Sequence, residues 1–252
     1  MEQLTDQAVA ALLISLRIAP ALAFAPPFTL LRVPVTVRVM LAITLAAWLV
    51  AGHPQQTWQS DFWSRGLFLT ATAELLMGIA LALTLQIAFA ALLTAGRAID
   101  IQAGFGLAVL IDPTTRSQMP LVGTLFAYAA GAIFFATGGP VDLLAIWAES
   151  VARVPLGAAV LGGDSVQAII FYMSAVFVMA FGAAGLVMLV LFVIDLAIAF
   201  MSRTLPQMNV LLLGFQVKTL AVLALLPLGI ALSAALFLRM LRYALHTAAE
   251  LI

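Results

Sequence analysis

The sequence predicts an all-α, multi-helix integral membrane protein, on the evidence of its composition and of its long apolar runs. Of the 252 residues, 65% are hydrophobic and 9% are charged, and the mean hydropathy is +1.18. A soluble domain is about 45–50% apolar and about 25% charged, so this chain has too little polar surface to cover a soluble globule. The apolar runs are too long for membrane-barrel strands and do not alternate with period two, which favours helices.

Composition also excludes several classes of function. The formal net charge is zero, and no basic run indicates a nucleic-acid partner. Cysteine is absent, which excludes disulfides, thiolate metal sites and a cysteine nucleophile. The two histidines, His53 and His246, stand apart in the sequence and make no metal site. We therefore expect no cofactor, no metal ion and no catalytic residue.

Six apolar stretches of unequal length run along what we interpret as one subunit, residues 1–252. They cover residues 8–25, 39–51, 66–95, 120–137, 166–201 and 208–238. A spanning helix needs about 20 apolar residues, so the second stretch is short and the fifth is long. As one continuous helix the fifth would be about 54 Å long, against a hydrocarbon core of about 30 Å. It therefore tilts strongly, breaks near Gly182 and Gly185, or extends beyond the bilayer.

Two other segments need an interpretation of their own. The first apolar stretch has the apolar core and the Ala-x-Ala-like end of a signal peptide. It is preceded by Glu2 and Asp6 rather than by basic residues, and Arg17 interrupts its core, so we interpret it as the first helix of the mature protein. Residues 141–155 place apolar side chains at roughly helical spacing, which predicts an amphipathic helix.

The arginines between the stretches conflict with a simple topology of six membrane crossings. Arginines in the loops 24–38 and 96–119 place both loops in the cytoplasm by the positive-inside rule. Six crossings would then leave Arg239 and Arg242 on the opposite side, against the rule. We therefore predict that the helices are not all simple spans, and that they form helical hairpins packed against partner subunits.

Four charged residues lie inside the apolar stretches, where each costs about 2.5–3.5 kcal/mol on insertion. They form either a proton or ion relay, or ion pairs and hydrogen bonds that lock helices or subunits together. A relay needs several carboxylates or histidines along one path, whereas the two carboxylates here lie in separate stretches. We therefore favour the lock, and we expect inter-helix or subunit contacts from Arg17, Glu74, Asp195 and Lys218.

Small residues at helical spacing indicate where helices approach each other closely. Gly78 and Ala82 form one such pair, and Gly-Ala-Ala-Gly at 182–185 forms another. Small residues are common throughout the chain, so the spacing alone does not identify a packing face.

Two polar connections interrupt the apolar pattern. Residues 96–120 contain acidic and amide side chains, then Gly-Phe-Gly, then an apolar run too short to cross a membrane. Residues 203–218 end the fifth helix and form a polar corner, either between helices or towards another subunit. The residues expected to make these contacts are Asp100, Gln102, Arg203, Pro206, Gln207, Asn209 and Lys218.

Taken together, the motifs of this chain resemble a known family. They are "AGRAIDIQAGFGLAVLIDP" (95–113), "RTLPQMNVLLLGFQVK" (203–218), "AELLMGIALALTLQIAFAALLTAG" (73–96) and "VARVPLG" (151–157). They are similar to those of the flagellar biosynthetic FliR family, which includes homologous export-apparatus subunits of virulence type III secretion systems. The likeness covers the whole chain, including the Pro-rich loop after the first helix.

The resemblance implies a role that composition does not. FliR-like proteins assemble with FliP and FliQ into the export gate of the flagellar basal body, in the bacterial inner membrane. Unfolded flagellar proteins pass through this gate, and FlhB wraps its cytoplasmic entrance. Helical hairpins of the subunits wind into a hetero-oligomeric helical assembly. The energy comes from the proton motive force and an ATPase complex, so the resemblance implies a subunit that is not an enzyme.

Family members also carry a loop that plugs the closed pore, and the resemblance places it here at residues 104–119. An apolar constriction blocks water and ions by dewetting, and glycines let the backbone turn in a narrow lumen. The alternative is a re-entrant or packing loop with no gating role. The residues implied in gating are Gly104, Phe105, Gly106, Leu107, Val109, Leu110, Ile111, Asp112 and Pro113.

Three other functions compete with the flagellar one. A virulence-secretion subunit shares the fold, but the patterns at 96–120 and 203–218 match the flagellar proteins more closely. A small-molecule secondary transporter would suit broken helices and intramembrane charges, yet the sequence contains no inverted repeat or convergent polar cluster. A membrane-embedded enzyme lacks a catalytic constellation.

Overall fold

A computed structural model describes residues 2–31, 33–54, 57, 66–105, 120–159, 162–204 and 210–252 of the chain. Within these residues the backbone forms seven long helices and no strand, so the all-α prediction is confirmed. The helices are α1 (Glu2–Phe24), α2 (Val35–Gly52), α3 (Leu67–Ala103), α4 (Leu121–Ala136), α5 (Gly139–Arg153), α6 (Gly163–Thr204) and α7 (Val210–Glu250).

Five of these helices are long and apolar enough to cross a membrane. They are α1, α2, α3, α6 and α7, taken over the described part of the chain. The pair formed by α4 and α5 would pass the same test together, but it bends by 70° at the break between the two helices. The second apolar stretch, which is short in the sequence, is extended by flanking residues into an 18-residue helix.

The amphipathic helix predicted over 141–155 is confirmed as α5. Its buried residues include Leu143, Trp147 and Val151, which recur every three to four positions and therefore lie on one face. The exposed face carries Arg153 and Glu149, which form an ion pair one turn apart. The helix begins after Thr137–Gly138, where Gly138 adopts a φ of +83°.

The length of α6 settles one of the alternatives left open by the sequence. The helix is continuous for 42 residues, so a break near Gly182 and Gly185 is wrong. A glycine in a helix costs only about 1 kcal/mol relative to alanine, and breaking the backbone ladder in apolar surroundings costs several. A straight helix of this length is about 63 Å long.

The end of α3 corrects a second expectation. The sequence suggested a connection over 96–119, but the helix continues to Ala103 and is 37 residues long. Asp100 and Gln102 are therefore helical residues rather than loop residues. These polar side chains suggest a loop in the sequence, but they lie in the last turn of the helix and contact other helices.

The helices are distributed over two compact units, and α3, α4, α6 and α7 contribute to both. The first unit comprises Met1–Ala88, Phe134–Ser174 and Leu241–Ile252. In it α1 packs on α2, and α3 crosses α1 at Gly78. A Cβ at Gly78 would lie 2.6 Å from the carbonyl oxygens of Leu16 and Arg17, so only glycine fits this crossing.

The second unit comprises Phe89–Ile133 and Ala175–Met240. In it α6 and α7 run antiparallel, because Val187 lies against Gly229 and the Ser233 hydroxyl donates to the Ala183 carbonyl at 3.2 Å. The backbones of α3 and α4 meet at Gly96 and Gly123. These contacts form the helical hairpins predicted from the sequence. Among the described residues, Cβ atoms at Gly182 and Gly185 would meet no atom within 4 Å, so that glycine pair makes no close helix contact there.

Candidate functional site

The first polar cluster, here called the Arg17 cluster, consists of Arg17, Glu74, Ser150, Val154 and Gly157. The Arg17 Nε lies 2.7 Å from Glu74 Oε2, and its Nη2 lies 3.0 Å from Glu74 Oε1. Both side chains are buried, with 1% and 0% of the side-chain surface exposed. A bidentate pair of this kind is among the stronger charge-assisted interactions. The structure therefore brings together two of the four charges found inside apolar stretches.

The guanidinium also binds the C-terminal end of α5. Its Nη1 donates to the Ser150 carbonyl at 2.8 Å, and its Nη2 donates to the Val154 carbonyl at 3.3 Å. Carbonyl groups at a helix C-terminus lack intrahelical partners and carry partial negative charge, so a cation is stabilising there. Arg17 thus ties α1 to α3 and to α5 at one point.

Glu74 completes the cluster through the backbone that follows α5. Its Oε1 accepts the Gly157 N–H at 2.9 Å. Gly157 has a φ of +72°, and a Cβ there would lie 2.9 Å from the Thr70 side chain. The "VARVPLG" motif therefore supplies one carbonyl, that of Val154, to the arginine and one N–H, that of Gly157, to the carboxylate. With both charged groups saturated by fixed partners, this geometry suits a lock better than a proton relay.

The second polar cluster, here called the α3 junction, consists of Asp100, Gln102, Val122, Asp195 and Lys218. The Asp100 carboxylate accepts the Val122 N–H, at 3.1 Å from Oδ1 and 3.3 Å from Oδ2. Val122 lies in the first turn of α4, where backbone N–H groups have no intrahelical acceptor. Asp100 therefore caps a helix that begins after a long connection rather than the helix in which it lies.

Gln102 and Lys218 extend the junction to α6 and α7. The Gln102 side-chain amide donates to the Met188 carbonyl at 3.2 Å, and Lys218 Nζ donates to the Gln102 carbonyl at 3.1 Å. Lys218 also forms an ion pair with Asp195, whose side chain is 40% exposed. The other two intramembrane charges are thus paired with each other, and the last turn of α3 binds three neighbouring helices.

Some predicted site residues lie elsewhere. Gly104, with a φ of +88°, ends α3, and Phe105 follows it. Arg203 lies exposed in the last turn of α6. The expectations for Gly106, Leu107, Val109, Leu110, Ile111, Asp112, Pro113, Pro206, Gln207 and Asn209 fall outside the described residues.

Several contributors to these clusters escape sequence reasoning. Gly157 acts through its backbone N–H, which carries no side-chain signal, and Ser150 accepts from Arg17 through its carbonyl at 2.8 Å and its hydroxyl at 3.2 Å. Arg38, assigned in the sequence to a loop, lies in the first turn of α2 and donates to the Ala23 carbonyl at 2.7 Å, at the end of α1. No local signal identifies this contact, because Arg38 lies in the first turn of α2 and the carbonyl belongs to α1.

Comparison with known proteins places the chain in a family. The family model described as "Bacterial export proteins, family 1" matches residues 8–244. This chain belongs to that family. The flagellar biosynthetic protein FliR of Bacillus subtilis (strain 168) is 30% identical over 224 residues, which cover 86% of this chain and 85% of the relative.

Other members of the family bear flagellar and virulence names. The flagellar biosynthetic protein FliR of Escherichia coli (strain K12) is 27% identical over 221 residues, 88% of this chain and 81% of the relative. The Yop proteins translocation protein T of Yersinia pestis is 29% identical over 156 residues, 61% of this chain and 59% of the relative. This family 1 export protein is accordingly a multi-pass inner-membrane protein and a subunit of a type III export apparatus.

Proposed function

We propose that the chain is a non-enzymatic core subunit of the flagellar type III export gate. In this proposal it forms, with FliP and FliQ, the pore through which unfolded flagellar proteins leave the cell, and FlhB binds at the entrance. The gate lies in the flagellar basal body. The family match over residues 8–244 supports export, and the exposed surface of α6 supports membership of an assembly.

The observation that carries the proposal is the mismatch between α6 and a bilayer. If about 30 Å of the helix lies in hydrocarbon, about 33 Å lies outside it. Large apolar side chains are exposed at both ends as well as in the middle, for example Ile170, Val178 and Phe200. Contiguous apolar surface outside lipid marks a protein interface. Neighbouring subunits would cover this surface.

The test is to express the tagged chain with FliP and FliQ of the same bacterium and to purify it in mild detergent. We expect one stable complex that contains all three proteins. The chain expressed alone should be recovered in low yield or aggregated, because α6 then lacks its cover. A monodisperse particle of this chain alone, formed even in the presence of FliP and FliQ, would contradict the proposal.

The extent of the similarity favours the flagellar system over a virulence system. The matches to FliR proteins cover from 61% to 88% of the chain, and the matches to virulence proteins cover 60–61%. Deleting the gene in the source bacterium should abolish flagellin in the culture medium and leave any virulence effectors unaffected. The reverse result would assign the chain to the virulence system.

We also propose that residues 104–119 form the plug of the closed pore. In support, this connection is bounded by the end of α3 and the start of α4, and it contains an apolar run. Deletion of residues 106–110 leaves Gly104 and Phe105 in place to end α3. The deletion should make inner-membrane vesicles leak protons while the complex still assembles. An assembled, non-leaking deletion complex would contradict the plug.

A further inference from the structure

We infer that Asp100 is a positioning residue that holds together both ends of the connection between α3 and α4. The inference rests on the proposed plug function, because it concerns how a plug would be anchored. Asp100 itself lies in the described structure, in the last turn of α3. Its proposed role is to hold the end of α3 and the start of α4 next to each other.

The first argument is that one residue binds the chain on both sides of the connection. The Asp100 carbonyl accepts the Phe105 N–H at 3.0 Å, where the chain leaves α3. The Asp100 carboxylate accepts the Val122 N–H at 3.1 Å, where the chain enters α4. Because these acceptors belong to the same residue, the exit from α3 and the entry to α4 are held at one point.

The second argument is that the exit from α3 has a defined geometry. The Gly104 N–H donates to the Ile101 carbonyl at 3.1 Å, in addition to the Phe105–Asp100 bond. These two bonds and the φ of +88° at Gly104 constitute a Schellman motif. Gly104 therefore acts as the cap of α3, and not as the freely turning hinge that the sequence suggested.

The third argument is that the holding point is itself fixed to the second unit. Gln102, two residues after Asp100, donates to α6 and accepts from Lys218 of α7. Earlier in α3, Gly96 meets Gly123 of α4, and the two backbones are so close that no side chain fits between them. The last turn of α3 is thereby joined to α4, α6 and α7.

The chemistry of the carboxylate defines the experiment. Asp100 supplies an acceptor to a helix N-terminus, and an acceptor of this kind shifts an equilibrium about fivefold (~1 kcal/mol). Asp100→Asn keeps a side-chain oxygen for the Val122 N–H and removes the charge, whereas Asp100→Ala removes the acceptor. Val122→Pro removes the donor instead, at a first-turn position where proline is tolerated.

The variants replace the chromosomal gene, and proton leak is measured in inner-membrane vesicles normalised to the amount of assembled complex. We expect Asp100→Ala and Val122→Pro to raise the leak about fivefold, and the double variant to leak no more than either single variant. Asp100→Asn should stay within about twofold of the wild type, since it keeps the bond. Asp142→Ala, at an exposed carboxylate in the first turn of α5, is the matched control.

Each outcome decides between the proposals. If the 106–110 deletion raises the proton leak while Asp100→Ala and Val122→Pro leave it unchanged, the positioning role is wrong and the plug proposal is supported. If Asp100→Asn leaks as much as Asp100→Ala, the charge rather than the bond is responsible, and the inference is overturned. If the deletion also leaves the proton leak unchanged, both the plug proposal and this inference are wrong.

A spectroscopic measurement tests the same residue when a variant assembles poorly. The chain has no cysteine, so cysteines introduced at the exposed positions Ile101 and Leu121 carry spin labels at unique sites. We expect a narrow distance distribution in the wild-type and Asp100→Asn complexes and a broad one in Asp100→Ala. An unchanged distribution in Asp100→Ala would show that Asp100 does not hold the two ends together.

Discussion

Arg17 and Glu74 are joined by two parallel hydrogen bonds, of 2.7 and 3.0 Å, that link α1 to α3 inside the first unit. Both side chains are excluded from solvent. A buried ion pair adds little net stability compared with apolar residues in the same place. Loss of one partner, however, leaves the other charge buried and unpaired. The pair therefore acts as a constraint on how α1, α3 and α5 fit together.

The first prediction concerns the loss of one or both partners. Arg17→Met and Glu74→Leu should each destabilise the chain by about 3–5 kcal/mol, because each leaves a buried charge unpaired. The double variant should lose less than the sum of the two, as expected for residues in direct contact. Recovery should stay incomplete, since the carbonyls of Ser150 and Val154 also lose the hydrogen bonds from Arg17, and Ser150 keeps only the one from the Val154 N–H. Thermal unfolding of the detergent-solubilised complex measures all three.

The same residues distinguish a lock from a relay. Glu74→Gln and Asp195→Asn remove the titratable protons that a relay would need. We expect lower yields of the complex, above all for buried Glu74, and normal flagellin export per assembled complex. Complexes that assemble in wild-type amounts but export nothing would instead support a relay.

The sequence predicted the helical class, the amphipathic α5 and the cost of charges in apolar stretches. These features follow from periodicity and composition, which act locally. It also favoured locking contacts over a relay, because two carboxylates make a poor path. The partners of each charge were not predictable, since Arg17 binds backbone carbonyls of Ser150 and Val154. Every residue has a backbone carbonyl, so the sequence does not show which carbonyl accepts the hydrogen bond.

The boundary of α3 shows the corresponding limit for element ends. Asp100 and Gln102 favour a loop in the sequence, because polar residues after an apolar run usually mark the end of a helix. In the structure they bind Val122 and Met188, which are distant along the chain. Tertiary contacts thus override local propensity. Gly104, in contrast, is a stop signal that sequence rules do contain.

The second prediction compares two glycines that lie in long apolar helices, one in close contact with another helix and one without such a contact in the described residues. Gly78→Ala places a Cβ against the carbonyls of Leu16 and Arg17 and should destabilise the chain by about 1–3 kcal/mol. Gly182→Ala meets no atom of the described part of the chain within 4 Å and should be neutral or slightly stabilising, by up to about 1 kcal/mol. Unfolding midpoints of the two variants compare them directly. Equal midpoints would mean that α1 and α3 do not approach as closely as the structure indicates.

If Gly182→Ala unfolds normally but prevents assembly, the glycine instead contacts another subunit. The yield of assembled complex is therefore measured beside the unfolding midpoint. This result would leave the Gly78 contact unaffected, because Gly78 lies between helices of the same chain.

The third prediction concerns the ion pair of the α3 junction. Lys218→Met should reduce the yield of complex more than Asp195→Asn does, because Lys218 also donates to the Gln102 carbonyl. The Asp195 side chain is 40% exposed, so its share of the pair is small, about 1 kcal/mol or less. Yields at two growth temperatures measure the difference. A larger effect from Asp195→Asn would indicate that Asp195 binds a group outside this chain.

The fourth prediction tests Gly104 as the cap of α3. A φ of +88° is accessible to glycine, whereas a side chain with a Cβ is strained there by about 1–2 kcal/mol. Gly104→Ala should therefore fray the last turn of α3, which contains Asp100 and Gln102, and raise proton leak in the direction expected for Asp100→Ala. Gly104→Asn should be milder, since asparagine tolerates the left-handed region.

Gly52→Ala is the control for the fourth prediction, since Gly52 ends α2 with no positive φ and an added Cβ there meets no neighbouring atom. It should change neither assembly nor leak. If Gly104→Ala assembles normally and stays tight, the backbone after α3 adopts another conformation in the complex. The point that holds α3 to α4 would then have to be the contact between Gly96 and Gly123 rather than Asp100.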